Sequence, residues 1–498
     1  MTNERLFEAQ WSVLVAAVAL LMGYTGGVRA QERFEPAACP SVVRESVDAQ
    51  GLPDVECGYV EVPENYRQHR SRTRRLRIFV VIAHTQALRP RTPVFFLTGG
   101  PGQALSGIAG QVITTGVMGR LRSQRDVVLI DPRGAGFSEP RLGCPPPMPP
   151  AAASILTPAQ QDAVRCADLL SAQGVDLDAY DTPTLARDVA SVRAALRLRK
   201  VVIYGVSYGA FLGLQTLRHA RDWVESAVLV SPPRPTGGTM VRSPQSAQGA
   251  LDEFTRMCAA QSACAAQGNF ADNVDVLLAR LLEQPIDLGV SASGVPLQLT
   301  ADLLGIFLQQ AFSNPQSAST LPKAVALALQ GDASLWVPVV TAFFALPPID
   351  QSLFFSLPLH NSVWCSEELT IGSPEELERR AAGTNAIVQR ISIAPPRAEY
   401  ETCAVWPVPE APQSLYARFT TDIPTYLISG ALDHVTPPEY ARRALRYLAN
   451  GQLTIVAAAG HLASENSACA PALVERFLEA PYERVDDACT ATPVQFVP

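Results

Sequence analysis

The stretch that decides the fold is VVIYGVSYG at residues 201–209. Its first four residues form a short apolar run rich in β-branched side chains, which is typical of a buried parallel strand. The segment at 210–220 that follows has helix-forming composition. A Gly-x-Ser-x-Gly turn between a strand and a helix needs glycines so that the two elements can approach closely. Because such a turn holds its serine in a strained conformation at the carboxyl edge of the sheet, Ser207 is the predicted nucleophile.

A second glycine-rich segment, TGGPG at 98–102, follows the apolar run PVFFL at 93–97, which predicts another strand. In this kind of site, an oxyanion accepts hydrogen bonds from the N–H after the serine and from an N–H in the loop after an earlier strand. The predicted donors are therefore the backbone N–H groups of Tyr208 and Gly100. Losing one such donor typically costs about 3 kcal/mol of transition-state stabilisation.

A nucleophilic serine needs a general base, and the base needs an acid that orients it. Among six histidines, His461 follows the strand-like run IVAAAG at 455–460, which predicts a loop at the carboxyl end of a strand. Asp433 stands at the exit of another such run, YLISGALD. The order Ser207, Asp433, His461 is a known triad order. Asp131 after VVLI is the alternative acid, although its glycine-rich surroundings fit a structural turn better.

Four motifs together resemble the S33 peptidases, which include the prolyl iminopeptidases and the tripeptidyl-aminopeptidase-like enzymes. They are LTGGPG at 97–102, DPRGAGFS at 131–138, GVSYG at 205–209, and the late G-x-x-D-x-x-T-P and G-H-L segments. The resemblance covers most of the chain after about Cys39. It implies an α/β-hydrolase fold, which is a doubly wound, mostly parallel sheet with an inserted helical cap domain. It also implies exopeptidase action from a free amino terminus.

The alternation of strand-like and helical segments divides the chain into parts. Residues 31–230 are predicted as the first part of the α/β-hydrolase core, with six strands. Residues 231–422 are rich in Ala, Leu and Gln with little strand alternation, which predicts a mostly helical cap inserted after the sixth strand. Residues 423–498 return to the sheet with two more strands and carry the predicted acid and base.

The amino terminus predicts export. An apolar stretch at 11–22 is followed by small and polar residues, and a signal-peptidase cut after Ala30 would make residues 1–30 a signal peptide. The apolar stretch is too short to span a membrane comfortably, so no stable membrane insertion is expected after cleavage. The predicted location is secreted or periplasmic. Because Glu4 and Glu8 flank Arg5, an uncleaved anchor or a cytosolic protein stays open as an alternative.

The cysteines also favour an oxidising compartment. Ten are present, all of them after the predicted cut, and no C-x-x-C pair indicates metal or thioredoxin chemistry. Sequence alone does not determine their connectivity. Our hypothesis is that neighbours pair and close local loops, as Cys39–Cys57, Cys144–Cys166, Cys258–Cys264, Cys365–Cys403 and Cys469–Cys489.

The net charge of −7 argues against a nucleic-acid partner. The arginine-rich stretch at 67–77 is the exception, and we interpret it as a solvated turn and strand edge rather than a basic docking patch. No metal and no organic cofactor is predicted. The sequence leaves the oligomeric state open.

Within the predicted cap, the segment VWCSEE at 363–368 carries two adjacent carboxylates. The resemblance to S33 enzymes implies that a cap carboxylate binds the substrate ammonium group, which is a charge-assisted hydrogen bond. Glu367 or Glu368 is the candidate, with Trp364 as a candidate substrate-binding side chain beside them. Trp406 is a second pocket candidate, and core packing is the alternative for both tryptophans. The alternative is that the glutamates simply complement a helix dipole.

These observations predict an exported serine hydrolase that forms an acyl-enzyme. The favoured activity is that of an aminopeptidase that releases an amino-terminal residue or short peptide. A carboxylesterase acting on small esters with the same triad is the alternative, and a non-catalytic binding module is a third interpretation. A requirement for a free substrate amine separates the first two activities.

Overall fold

The computed structural model describes residues 33–498 apart from 53, 70–71, 148–155, 292–293 and 346–350. The predicted signal peptide at 1–30 and its cut after Ala30 lie outside the described residues. A search of the described helices finds none with the length and apolar character that a membrane crossing needs.

In chain order the described strands are β1 (Phe34–Ala37), β2 (Val55–Pro63), β3 (Arg75–Ala83), β4 (Arg91–Leu97), β5 (Arg125–Ile130), β6 (Val201–Val206), β7 (Val224–Val230), β8 (Ile286–Val290), β9 (Pro296–Leu299), β10 (Thr425–Gly430) and β11 (Gly451–Val456). Nine of these described strands form one sheet in the order β1-β2-β3-β5-β4-β6-β7-β10-β11. Within this sheet, the neighbours β1–β2, β2–β3 and β3–β5 pair antiparallel, and every other neighbouring pair is parallel. The predicted mostly parallel sheet is confirmed.

Sequence reasoning misses the edge strand β1. Its four residues, FEPA, contain a proline and show no alternation of apolar and polar side chains. Such a strand forms because β2 offers a free edge, not because of its own propensity. The helical insertion therefore follows the seventh strand of the sheet rather than the sixth.

Helices cover both faces of the sheet, because alternate strand residues point to opposite sides. Phe95 of β4 packs in one apolar cluster, and its neighbours Val94 and Phe96 pack in another. The described α-helices are Ser41–Asp48, Ala109–Thr114, Gly116–Leu121, Pro158–Ala172, Thr182–Ala195, Tyr208–Leu217, Ser243–Ala259, Ser262–Ala265, Phe270–Glu283, Ala301–Ser313, Pro315–Leu329, Trp336–Ala345, Gln351–Phe354, Leu357–Val363, Pro374–Ala381, Ala386–Cys403, Pro438–Ala444 and Ala470–Glu479. The predicted doubly wound arrangement is confirmed.

The inserted segment, residues 231–422, has its own apolar cluster. Phe254 and Phe312 lie at its centre, with ring centroids 5.8 Å apart. The segment also contains the small antiparallel pair β8–β9, which the expectation of little strand structure misses. Val494 and Phe496 of the carboxyl-terminal tail pack in the same cluster. The tail therefore ties the inserted segment to the end of the chain.

All five hypothesised disulfides are present, and neighbouring cysteines pair in each case. The sequence separations of 6 to 38 residues mean that each bond closes a local loop. A disulfide typically stabilises a fold by about 2–4 kcal/mol, mainly by restricting the unfolded chain. Such bonds persist in oxidising compartments.

The arginine-rich stretch at 67–77 is a paired surface feature. Arg67, Arg74, Arg75 and Arg77 each place a guanidinium nitrogen within 2.8 Å of a carboxylate oxygen. These acids neutralise much of the local positive charge. For these four side chains, the pairing favours the interpretation as a solvated turn and strand edge.

Candidate active site

Ser207 lies at the sharp turn between β6 and the helix Tyr208–Leu217. Its φ of 57° and ψ of −124° place a non-glycine residue in a strained region of backbone space. Its N–H donates to the Val230 carbonyl oxygen at 2.9 Å, which holds the turn against β7. The helix that starts at Tyr208 directs its positive dipole end at this serine.

The two glycines of the motif are required by close packing. A Cβ at Gly205 would lie 2.2 Å from the Gly209 carbonyl oxygen, and a Cβ at Gly209 would lie 2.1 Å from the Leu97 carbonyl oxygen. Both distances are far shorter than any tolerated contact. The glycines are therefore needed because strand β6, the helix Tyr208–Leu217 and the end of β4 come into backbone contact around Ser207.

The glycine-rich loop after β4 lies against the serine. A Cβ at Gly99 would lie 3.2 Å from Ser207 Cβ. Gly100 has a φ of 106°, a conformation that favours glycine. In the described part of the chain, neither the Gly100 N–H nor the Tyr208 N–H donates to another group. Both predicted donors are thus available to an oxyanion.

The structure brings Asp433 and His461 together. His461 Nδ1 lies 3.0 and 3.1 Å from the two carboxylate oxygens of Asp433, so this nitrogen carries the donated proton. Asp433 also accepts hydrogen bonds from the N–H of Val435 and from the N–H and hydroxyl of Thr436. Sequence reasoning does not single out Thr436, although it belongs to the D-x-x-T-P motif.

The two partners shift each other's pKa in opposite directions. Burial alone would raise the pKa of Asp433, but the charge and hydrogen bond of His461 and the bonds from Thr436 hold it below its usual value. Burial alone would lower the pKa of His461, but the Asp433 carboxylate outweighs it and raises that pKa. The pair therefore stabilises an imidazolium, as a general base requires after it takes a proton.

Ser207 and His461 are not hydrogen-bonded in this structure. Within the described residues, the hydrogen bonds of the His461 side chain are made by Nδ1, to Asp433 and Thr436. Hydrogen bonds between base and nucleophile are often long in unliganded enzymes and tighten with substrate. The structure thus joins the predicted acid and base directly, and it places Ser207 at the same carboxyl edge of the sheet.

Asp131, the alternative acid, has a different role in the structure. It accepts hydrogen bonds from the Ser106 hydroxyl and from the Phe137 N–H, the latter at 2.9 Å. Burial raises its pKa to about 6. It makes no hydrogen bond to His461 and instead holds the turn after β5.

The loop that carries His461 is attached to the strand that carries the serine. The Tyr204 hydroxyl on β6 lies 2.7 Å from the Ser464 hydroxyl and donates to Glu465 at 3.2 Å. Leu462, next to the histidine, has a φ of 63°. These contacts couple the loop of the predicted base to the strand that precedes the predicted nucleophile. No sequence motif reveals them because they join residues about 260 positions apart.

The neighbouring His434 behaves differently from His461. Burial lowers the pKa of His434 to about 4, and the Asp433 charge opposes this only in part. Its ring packs near Phe312, with centroids 5.8 Å apart. His434 therefore stays neutral across the range in which His461 titrates.

The pH profile of the reaction tests this assignment. Because the base must be neutral to accept the Ser207 proton, kcat/KM is expected to fall as the pH drops through a His461 pKa above 6.5 and to level off at higher pH. The measurement is kcat/KM between about pH 5 and 9 on an ester without ionisable groups in that range. A midpoint below 6.5 would contradict the stabilisation of the His461 imidazolium by Asp433.

Glu367 lies in a short π-helix, Trp364–Glu368, which is an element frequent at functional sites. It is 2% exposed, and its two oxygens accept from the Thr182 N–H at 2.7 Å and the Thr182 hydroxyl at 2.6 Å. Thr182 in turn lies 2.7 Å from the Tyr208 hydroxyl. One threonine therefore connects this carboxylate to the residue that follows the nucleophile.

Burial dominates the electrostatics of both glutamates. It raises the pKa of Glu367 to about 8, and the nearby carboxylates of Asp181 and Glu368 act in the same direction. Burial raises the pKa of Glu368 to about 7, although N–H groups at 238–240 and the charge of Arg234 oppose it. Glu368 accepts from the Thr239 N–H at 2.7 Å.

The two tryptophans differ in environment. Trp406 is buried in the core and donates from its indole N–H to the Ser362 hydroxyl at 3.1 Å, which fits packing better than substrate contact. Trp364 is partly buried, packs edge-on against His360, and has an indole N–H without a partner among the described residues. A substrate contact for Trp364 stays a prediction.

Comparisons with known proteins agree with this geometry. Residues 92–284 match a family model described as alpha/beta hydrolase fold, and residues 394–489 match one described as TAP-like protein. The chain is similar to tripeptidyl aminopeptidases of Streptomyces coelicolor and Streptomyces lividans, at 29% identity over 171 residues, or 32% of this chain. The alignment spans 31% and 32% of the length of those relatives.

Solved structures are also similar at low identity. A hydrolase from Pseudomonas aeruginosa is 17% identical, with 81% of this chain and 95% of that chain covered and a TM-score of 0.36. A serine hydrolase from Cycloclasticus zankles is 14% identical, with 86% and 100% covered and a TM-score of 0.36.

The strand order, the helices on both faces and the matching family model define the class of protein. The chain has the α/β-hydrolase fold, and residues 92–284 match the family model of that fold. The TAP-like match and the tripeptidyl aminopeptidase relatives support a resemblance to the S33-like peptidases.

Proposed function

We propose that the protein is an exported serine aminopeptidase that releases an amino-terminal residue or short peptide. The observation that carries this proposal is the buried carboxylate of Glu367, which one threonine links to Tyr208 beside the nucleophile. An ester substrate needs no buried acid at this position, whereas a peptide amino terminus does. The curated tripeptidyl aminopeptidases support the same class of substrate.

The proposed mechanism follows from the geometry of the site. Ser207 Oγ attacks the scissile carbonyl carbon while His461 Nε2 accepts its proton, and Asp433 stabilises the imidazolium through Nδ1. The N–H groups of Gly100 and Tyr208 bind the oxyanion. His461 then gives the proton to the leaving amine, and water hydrolyses the acyl-enzyme with the same base.

Glu367 is the proposed site for the substrate ammonium group. The charges that act on it are the carboxylates of Asp181 and Glu368, and no described Lys, Arg or His nitrogen lies within 4.0 Å of it. A buried carboxylate without a cation is costly, and an entering ammonium group offsets that cost. Glu368 is the less favoured site because Arg234 already acts on it.

Export is proposed from two features. Five disulfides close loops throughout the described chain, and such a set is typical of proteins that fold in an oxidising compartment. The sequence at 1–30 has the pattern of a signal peptide. The proposed location is secreted or periplasmic, and residues 231–422 are proposed to act as the cap.

A panel of substrates tests the proposed activity. We expect hydrolysis of alanyl, aminoacyl-proline and tripeptidyl chromogenic amides, with near-complete loss when the same substrates are acetylated on nitrogen. The physical reason is that acetylation removes the charge that Glu367 would bind. Ester cleavage alone, with no amide cleavage, would favour the second candidate, a carboxylesterase with the same triad.

Matched variants test the role of Glu367 in the same assay. Glu367→Gln keeps the shape of the side chain but cannot ionise when an ammonium group enters. It is therefore expected to raise KM for free-amine substrates about 10-fold or more, with little effect on a small ester. The control is Glu375→Gln, since Glu375 is an exposed acid at the start of the helix Pro374–Ala381. Equal effects of the two variants would contradict the ammonium site.

A further inference from the structure

We infer that His360 is a positioning residue for the oxyanion-binding loop at 98–102, through the carbonyl of Pro101. The inference rests on the proposed function, because it requires the Gly100 N–H to bind the oxyanion. It concerns a part of the inserted segment that no sequence motif marks. The part of the inserted segment that contacts the loop is residues 354–360, which we call the strap.

The strap is hydrogen-bonded to the chain that follows the oxyanion loop. Phe355 forms an antiparallel bridge with Gln103, the Ala104 N–H donates to the Phe354 carbonyl at 3.0 Å, and the Ser356 N–H donates to the Gly102 carbonyl at 2.9 Å. The packing is close, since a Cβ at Gly102 would lie 2.6 Å from the Ser356 carbonyl oxygen. The inserted segment thus extends the loop as a short two-stranded ladder.

His360 at the end of the strap contacts the loop with its side chain. Its Nδ1 lies 3.2 Å from the Pro101 carbonyl oxygen, and because a carbonyl only accepts, Nδ1 is the donor. Its Nε2 lies 3.4 Å from a carboxylate oxygen of Glu399. The rings of Phe355 and Trp364 pack on it, with centroids 5.1 and 5.5 Å away. The imidazole is therefore held on several sides and is directed at the loop.

The contact matters because it acts on the residue directly after Gly100. Gly100 has no side chain and adopts a φ of 106°, so its conformation depends on hydrogen bonds made by its neighbours. Three such bonds are the one from the Thr98 hydroxyl to the Gln103 carbonyl at 2.7 Å, the one from the Ser356 N–H to the Gly102 carbonyl at 2.9 Å, and the one from His360 to Pro101. Loss of the His360 bond frees the peptide unit between Pro101 and Gly102, and the freed chain lets the Gly100 N–H move from its position.

Isosteric variants separate positioning from simple packing. In His360→Asn the side-chain amide presents its nitrogen where Nδ1 stood, whereas His360→Gln presents one where Nε2 stood and leaves Pro101 without a donor. We expect His360→Gln and His360→Ala to lower kcat about 10- to 50-fold with KM nearly unchanged, a part of the 10²- to 10³-fold loss typical of a missing oxyanion donor. We expect His360→Asn to retain most of the wild-type kcat.

The control is His219→Asn, since His219 is an exposed histidine just beyond the carboxyl end of the helix Tyr208–Leu217.

The rate at which a fluorophosphonate labels Ser207 is measured beside turnover, because the same N–H groups stabilise that reaction. Thermal unfolding reports whether each variant folds, and the Asn and Gln variants decide the question if the Ala variant does not. Equal kcat and labelling rates in the Asn and Gln variants, or a rise in KM alone, would overturn the inference. Failure of the wild type to label or turn over any substrate would instead contradict the proposed function, and the inference with it.

Discussion

Ser207→Ala is expected to lower kcat/KM by about 10⁴- to 10⁶-fold, because it removes the atom that forms the acyl-enzyme. The fold should tolerate the change. Alanine is smaller than serine and meets the same backbone restriction at a φ of 57°, and the Ser207 backbone bond to Val230 is unaffected. The measurements are turnover on the best substrate of the panel, covalent labelling by a fluorophosphonate, and the temperature of unfolding.

Ser231 provides a matched control for this prediction. It follows β7 as Ser207 follows β6, has a φ of 49°, and is fully buried with a hydroxyl that has no partner in the described chain. Ser231→Ala should keep both activity and labelling. If labelling is lost in Ser207→Ala but kept in Ser231→Ala, Ser207 is the nucleophile. Labelling that persists in Ser207→Ala would assign the reaction to another residue.

The geometry of the proposed catalytic site is largely predictable from the sequence because its motifs are local. A strained serine needs its glycines at fixed spacing, and the acid and base each follow a recognisable strand. Their order along the chain then predicts that Asp433 and His461 meet, and in the structure hydrogen bonds join the two side chains. The disulfide hypothesis succeeds for a similar reason, since each bond joins cysteines that are neighbours in the sequence.

The parts that sequence reasoning misses depend on distant contacts. Thr182 has no distinguishing motif, yet its hydrogen bonds connect Glu367 with Tyr208. Glu367 is 185 residues from Thr182 in the sequence, and Tyr208 is 26 residues from it. His360 is indistinguishable from a surface histidine until its strap is placed on the oxyanion loop. The burial of a side chain depends on the whole fold and is not visible in the local sequence. The raised pKa of Glu367, about 8, results from that burial and therefore could not be predicted from the sequence.

Because backbone atoms surround them closely, the two glycines that flank Ser207, Gly205 and Gly209, should be among the least replaceable residues of the fold. Gly209 lies on the first turn of the helix, where an added Cβ would meet the Leu97 carbonyl oxygen at 2.1 Å and the Thr98 carbonyl oxygen at 2.6 Å. Both atoms are backbone, so neither can move away as a flexible side chain does. Relief requires the helix to separate from the end of β4, and this also displaces the oxyanion loop from Ser207.

Gly209→Ala is therefore expected to lower the free energy of unfolding by about 3 kcal/mol or more and to abolish turnover in the fraction that still folds. The matched control is Gly249→Ala, because Gly249 lies inside the helix Ser243–Ala259 with no atom within 4 Å of an added Cβ. There the same substitution should stabilise the protein by about 0.5–1 kcal/mol, since alanine has the higher helix propensity. Denaturant unfolding measured beside fluorophosphonate labelling separates the two effects. A Gly209→Ala protein with unchanged stability and labelling would mean that the strand, the helix and the oxyanion loop are less tightly packed than these distances require.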